Sequence, residues 1–144
     1  MTYVTRDRLG IYNGHATNNG ISGSDHGPGP ELMGADTLIG DLVFNHKDEE
    51  LGEIKEIMLD MRNGKVGYAV MSFGGFLGMG EKYHPLPWSL LKYSTDKSGY
   101  VVNLSKDQLA NAPNYDEAGE PDWSDRAYDK RVSDYYGAPP FWTL

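Results

Sequence analysis

The chain contains no cysteine. That removes disulfides, thiolate metal centres and cysteine nucleophiles at once, and it fits a reducing compartment. No apolar run approaches the length needed to span a bilayer. The opening MTYVTRDRLG has no apolar core of the kind a secretory leader needs. Cations are scarce: 13 Lys and Arg face 21 Asp and Glu, a formal net charge of −8. No window clusters Lys and Arg with interleaved aromatics, so a polyanion such as RNA or DNA meets net repulsion. Anionic membrane surfaces are disfavoured for the same reason. These absences leave a soluble, cytoplasmic protein with no nucleic-acid partner and no membrane insertion as the expectation.

What the chain does hold is glycine and proline, 18 and 8 in 144 residues. They favour turns, loops and short strands over long helices. The length suits one domain with a modest core. Three textures follow one another. Residues 1–34 hold GHATNNGISGSDHGPGP and little hydrophobic periodicity, which reads as a flexible arm. Residues 35–104 alternate short apolar runs with turn signals. Residues 105–144 read as helical, then extended.

In the middle segment the strand candidates are 42–44, 51–59, 65–73, 82–88, 92–94 and 100–104. Asn63-Gly64 between the second and third favours a tight hairpin turn. About six short strands at this spacing predict a mostly β fold, a small six-stranded antiparallel β-barrel. Ile54 and Ile57 fall on opposite parities, so a β-bulge near Lys55-Glu56 is needed to bring both inward. In the third strand Gly67, Ala69 and Met71 share one face, and Val66, Tyr68 and Val70 the other. Both faces are apolar enough to require cover.

In the last segment Ser105-Lys106-Asp107-Gln108 has the form of a capping box. Its helix should end near Ala112-Pro113. A second helix is expected from Asp122–Ser124 to Gly137, with Tyr128, Val132 and Tyr135 on one face and Lys130 paired with Asp134 on the other. The tail, Ala138 to Trp142, is expected to be extended.

The stretch SFGGFLGMGE at residues 72–81 raises the question of a phosphate loop. Such a loop needs a helix behind it, and EKYHPLPW carries two prolines that prevent one. A loop that folds Phe76, Leu77 and Met79 over the domain, or onto a partner, is the reading its context supports. Four histidines, His15, His26, His46 and His84, stand in no metal or catalytic motif. The acidic run Asp48-Glu49-Glu50 lacks the alternation and central glycine of a calcium loop. No cofactor, no metal and no catalytic residue is assigned.

The ordered elements Leu38-Ile39-Gly40, Leu51-Gly52-Glu53-Ile54, Leu59-Asp60, Gly64-Lys65-Val66, Tyr68-Ala69-Val70, Ser72-Phe73-Gly74-Gly75 and Pro87-Trp88, followed by residues 104–113, resemble the PRC-barrel domain. The resemblance implies a six-stranded β-barrel. The same module occurs in the cytoplasmic part of the photosynthetic reaction-centre H subunit and in a ribosome maturation factor, where it contacts other proteins and is not a catalyst. It also implies self-association of free-standing members.

The functional expectation is a non-catalytic protein-interaction module forming a homo-oligomer, a dimer, or binding another protein. Its interface residues would be Phe73, Phe76, Leu77, Met79, Trp88, Trp123, Tyr135, Phe141 and Trp142. The alternatives are a metal- or ligand-binding regulator using His15, His26 and the acidic turn, and a ribosome-assembly accessory.

Overall fold

A computed structural model of the chain describes residues 32–74 and 80–143. The first 31 residues of the Gly-rich arm, with His15 and His26, lie outside the described residues, as do Phe76, Leu77 and Met79. The elements in chain order are α1 (Ala35–Leu38), β1 (Leu42–Asn45), β2 (Glu50–Leu59), β3 (Val66–Phe73), β4 (Lys82–Pro87), a 3₁₀ turn (Trp88–Leu90), β5 (Lys92–Ser94), β6 (Gly99–Val102), α2 (Lys106–Ala110), α3 (Arg126–Tyr136) and a final 3₁₀ turn (Phe141–Thr143).

The six strands form one sheet in the order β4-β3-β2-β1-β6-β5. Two expectations are corrected here. The sheet is mixed, because β1 and β6 run parallel, Val43 opposite Tyr100. It is also not closed into a barrel, since no ladder joins the outer strands β4 and β5 among the described residues. The cause is the connection after β4. The pairings put β4 and β5 in the same sense. The Trp88–Leu90 turn therefore carries the chain to the other end of the sheet without reversing it, and β6 returns alongside β1 in parallel.

The bulge falls where the parity of Ile54 and Ile57 requires it. The β2–β3 register slips between Ile54 and Glu56, leaving Lys55 unpaired. Ile54 is fully buried, and Ile57 packs against the same core. That core holds Val43, Leu51, Ala69, Met71, Leu86, Tyr100, Val102 and Leu109 on the inner face of the sheet.

The β2–β3 connection is wider than the expected Asn-Gly turn. The Asp60 amide donates to the Lys65 carbonyl at 2.7 Å, and the Gly64 amide donates back to the Asp60 carbonyl at 2.8 Å. The Asp60 carboxylate accepts from the Arg62 amide at 3.0 Å, an Asx turn that competes with the two-residue hairpin. Gly64 still takes the left-handed conformation, φ 76°.

β4 is an edge strand blunted by its own sequence. Tyr83 exchanges both backbone hydrogen bonds with Tyr115, at 2.8 and 3.0 Å. Alternation turns the backbone of Pro85 and Pro87 to the same side, where proline has no N–H to offer another strand.

α2 carries the expected capping box. The Gln108 amide donates to Ser105 Oγ at 3.0 Å, and the Ser105 amide to Gln108 Oε1 at 2.8 Å. The helix brings Leu109 into the core with no exposure. Ser105→Ala is expected to lower folding stability by about 1 kcal/mol, read by urea denaturation. An unchanged midpoint would mean that Leu109 alone seats the helix.

α3 starts a little later than expected. Asp122 caps the preceding turn, accepting from the Ser124 amide at 3.0 Å. Asp125 takes the N-cap and accepts from the Ala127 amide at 2.9 Å. Gly137 ends the helix at φ 66°, and Lys130 pairs with Asp134 at 2.9 Å. Tyr128 and Val132 face inward, but Tyr135 is 41% exposed, and Tyr136 packs against the core in its place. The tail does not stay extended to Trp142, because Phe141–Thr143 curls into a turn. The Thr143 amide and hydroxyl both donate to the Pro140 carbonyl, at 3.0 and 2.7 Å, closing a 3₁₀ turn.

Candidate interaction surface

The outer face of β3 supplies the foundation. Tyr68 projects away from the Ala69–Met71 core and is buried beneath α3 with Tyr128 and Val132. Met58, Trp123, Tyr136 and Phe141 pack around them. The cover that the two-faced pattern of β3 demanded is thus the C-terminal extension itself.

From this centre a continuous seam of rings crosses the molecule. Tyr83 lies 5.5 Å from Tyr115, and Tyr115 lies 5.9 Å from Trp123, centroid to centroid. Trp123 is 6.1 Å from both Tyr68 and Tyr128. Tyr68 meets Phe141 edge-on at 5.4 Å, and Phe141 meets Trp142 at 5.2 Å. Most of these contacts are tilted or edge-to-face, the geometry the ring quadrupole favours. The Arg126 guanidinium stacks over Trp142 at 4.1 Å and reaches Phe141 at 5.6 Å. Tyr83, Tyr115, Trp123, Arg126, Phe141 and Trp142 are all half-buried, so each presents part of its surface outward. Beside the seam an open groove of about 340 Å³ is floored by Val70, walled by Tyr83 and Tyr115 and rimmed by Glu56, Glu117 and Glu120.

The seam's buried polar centre is Tyr68, whose hydroxyl donates to the Asp129 carboxylate at 2.8 Å. Asp129 is 2% exposed. Burial pushes its carboxyl above the usual range, and the Tyr68 hydrogen bond and the Arg126 charge oppose that. Burial pushes the Tyr68 phenol well up, helped by Asp129, and pushes Tyr128 up to about 12. His84, also buried, is opposite Met71 on the inner face, so Asp129 and the imidazole lie on different sides of the sheet. Among the described residues no three His, Asp or Glu side chains gather as metal ligands.

The structure divides the expected interface residues. Trp123, Phe141 and Trp142 come together on the seam. Phe73 and Trp88 turn inward, Phe73 edge-on to His84 at 5.5 Å and Trp88 against Tyr100 at 5.7 Å. Tyr135 ties α3 to α2 by donating to the Gln108 carbonyl. Sequence reasoning missed Tyr68, Tyr83, Tyr115, Arg126, Tyr128 and Asp129 as members of one surface. The outward parity of Tyr68 and the inward face of Tyr128 were visible signals, whereas Tyr115 sits in a loop that gives none.

The model of the PRC-barrel domain family matches residues 30–109, more than half of the chain. The chain belongs to the PRC-barrel domain family. A solved structure described as a 16S ribosomal RNA processing protein, RimM, from Pseudomonas aeruginosa is similar at 18% identity and a TM-score of 0.37. The similarity covers 54% of this chain and 48% of that one. No curated protein matches. The PRC-barrel match takes in the whole sheet and α2 as far as Leu109, with Tyr68 and Tyr83. Tyr115, Trp123, α3 and the tail, the other half of the seam, lie beyond it. No helix among the described residues is long and apolar enough to cross a membrane.

Proposed function

We propose that this PRC-barrel protein is a non-catalytic, cytoplasmic interaction module that associates with a second copy of itself through the aromatic seam. The observation that carries the reading is the half-exposed set Trp123, Arg126, Phe141 and Trp142, with the Arg126 guanidinium over the Trp142 ring at 4.1 Å. Trp, Tyr and Arg fixed in this manner are the residue types that dominate protein–protein interfaces, and stacking lowers the side-chain entropy lost on association. The −8 charge opposes an RNA-bound role.

Light scattering across a concentration series tests the reading. A dimer is expected, and Arg126→Ala with Trp142→Ala should weaken it by roughly 30-fold, as for a typical hot-spot pair. A strict monomer at high concentration removes self-association. A dimer indifferent to the double substitution moves the interface off the seam.

A further inference from the structure

The two hydrophobic clusters of this chain differ sharply in quality. On the inner face, ten hydrophobic residues are fully buried around Met71 and Ile54. On the outer face the cluster under α3 has three buried members, Tyr68, Tyr128 and Val132, with Val70 buried on the same side of β3, and the polar groups enclosed with them are poorly served. Three buried side-chain atoms of α3 have no hydrogen-bond partner: Arg126 Nη1, Tyr128 Oη and Tyr136 Oη. Enclosing a donor without an acceptor opposes burial. The Asp129 carboxylate, 2% exposed, accepts a hydrogen bond from a neutral phenol at 2.8 Å and is otherwise eased by the Arg126 charge, and a buried carboxylate opposes burial more strongly still. The remaining ties are few. They are the two-bond bridge of Tyr115 to the β4 edge and three links made by exposed side chains, Tyr83 to Glu117 at 3.2 Å, Lys82 to Asp116 at 3.5 Å and Tyr135 to the Gln108 carbonyl, each worth little in water. Pro113 begins this extension, and residues 113–143 lie beyond the family match.

We propose that residues 113–143 form a displaceable strap, which opens as one unit while the six-stranded sheet stays folded and so uncovers Tyr68 and Met58 on the outer face of β2 and β3. Opening lets water reach the phenols, the guanidinium and the carboxylate together, which offsets the apolar area lost. Local opening of such a unit below the global unfolding free energy is an ordinary property of folded chains. Unpartnered atoms occur in the sheet region as well, at His84 Nδ1 and Thr95 Oγ1, but three fall together on the single helix α3, and that grouping marks the unit. The proposed self-association surface lies on this strap, so a dimer would hold it closed; opening is therefore measured at a concentration where light scattering shows a monomer, which keeps the two readings separable.

Hydrogen–deuterium exchange of the full chain, followed by mass spectrometry on peptides across 126–136 and 66–73, tests the strap. The α3 peptides are expected to exchange together and at least ten-fold faster than the β3 peptides. Tyr128→Phe and Tyr136→Phe each delete an orphaned hydroxyl and keep the ring. Each should slow exchange of α3 by several-fold without changing β3, the opposite sign to the usual effect of substitution in a packed site. Equal rates in α3 and β3 would mean that the helix leaves only when the whole protein unfolds, and the strap is then wrong. Faster α3 exchange in both Phe variants would mean that the hydroxyls hold the helix down, which also overturns it.

Discussion

Gly52→Ala is expected to lose on the order of 4 kcal/mol of folding stability, at the extreme of single-residue effects. That is a large share of what a domain this size possesses. Gly52 lies in the middle of the sheet, opposite Val43 on β1 and Phe73 on β3. A methyl group there would sit 1.7 Å from the Ser72 carbonyl oxygen and 2.9 Å from its carbon. Both are backbone atoms of a central strand, so no rotamer change relieves the clash. Either β3 moves or the β2–β3 ladder breaks. The useful control is Gly64→Ala, which meets no atom within 4 Å and suffers only its positive φ, at about 1 kcal/mol. Urea denaturation of both variants should separate them clearly. If Gly52→Ala shifts the midpoint no more than Gly64→Ala, the sheet is looser at this crossing than its register indicates.

Acid is the second large lever, through His84. The side chain is 1% exposed, its Nδ1 has no hydrogen-bond partner, and burial pushes its pKa down to about 4. The unfolded chain takes up this proton near the ordinary 6.5, so between those values the unfolded state binds more protons. The contribution is therefore whole above pH 6.5 and disappears as pH falls towards 4. The full loss is about 3 kcal/mol. Asp129 acts in the opposite sense, because its raised carboxyl takes a proton sooner in the folded state. Glu49 and Asp122, pulled down by hydrogen bonds from Asn45 and Ser124, lose their contributions only at still lower pH. The decisive comparison is the difference between the parent chain and His84→Leu across pH 7 to pH 4. The parent should fall and the variant stay nearly level. Parallel curves would show that the imidazole is charged inside the fold or reaches water freely.

Much of the local structure was legible because its signals are local. The parity clash of Ile54 and Ile57 located the bulge at Lys55. Ser105 and Gln108 announced the capping box, and Gly137 the end of α3. The two apolar faces of β3 called for a cover. Partnership is another matter. Nothing in the composition of β1 or β6 states that they pair, or that they pair in parallel. It goes with the path of the Trp88–Leu90 turn, where Trp88 packs against Tyr100 of β6, a contact far along the chain. The surface was legible only in its ends. Trp123, Phe141 and Trp142 stood out as aromatics in need of neighbours. The residues that connect them did not: Tyr115 is placed by two backbone hydrogen bonds to β4, and Asp129 looks on the helix like any solvated acid. Phe73 and Trp88 were read outward because a strand end and a Pro-Trp turn do not reveal which way a ring swings.

The parallel ladder also sets an order of events during synthesis. β2, β3 and β4 follow β1 as a simple meander, and each can pair with the strand just made. β1 must wait for its second neighbour until residues 99–102 exist, because Val43 pairs with Tyr100. A contact so distant along the chain is slow to close. The half-made meander accordingly has one flank silenced by Pro85 and Pro87 and one adhesive flank, β1. On a crowded polysome that unprotected flank is where two nascent chains would stick together, and the arrival of β6 ends the hazard.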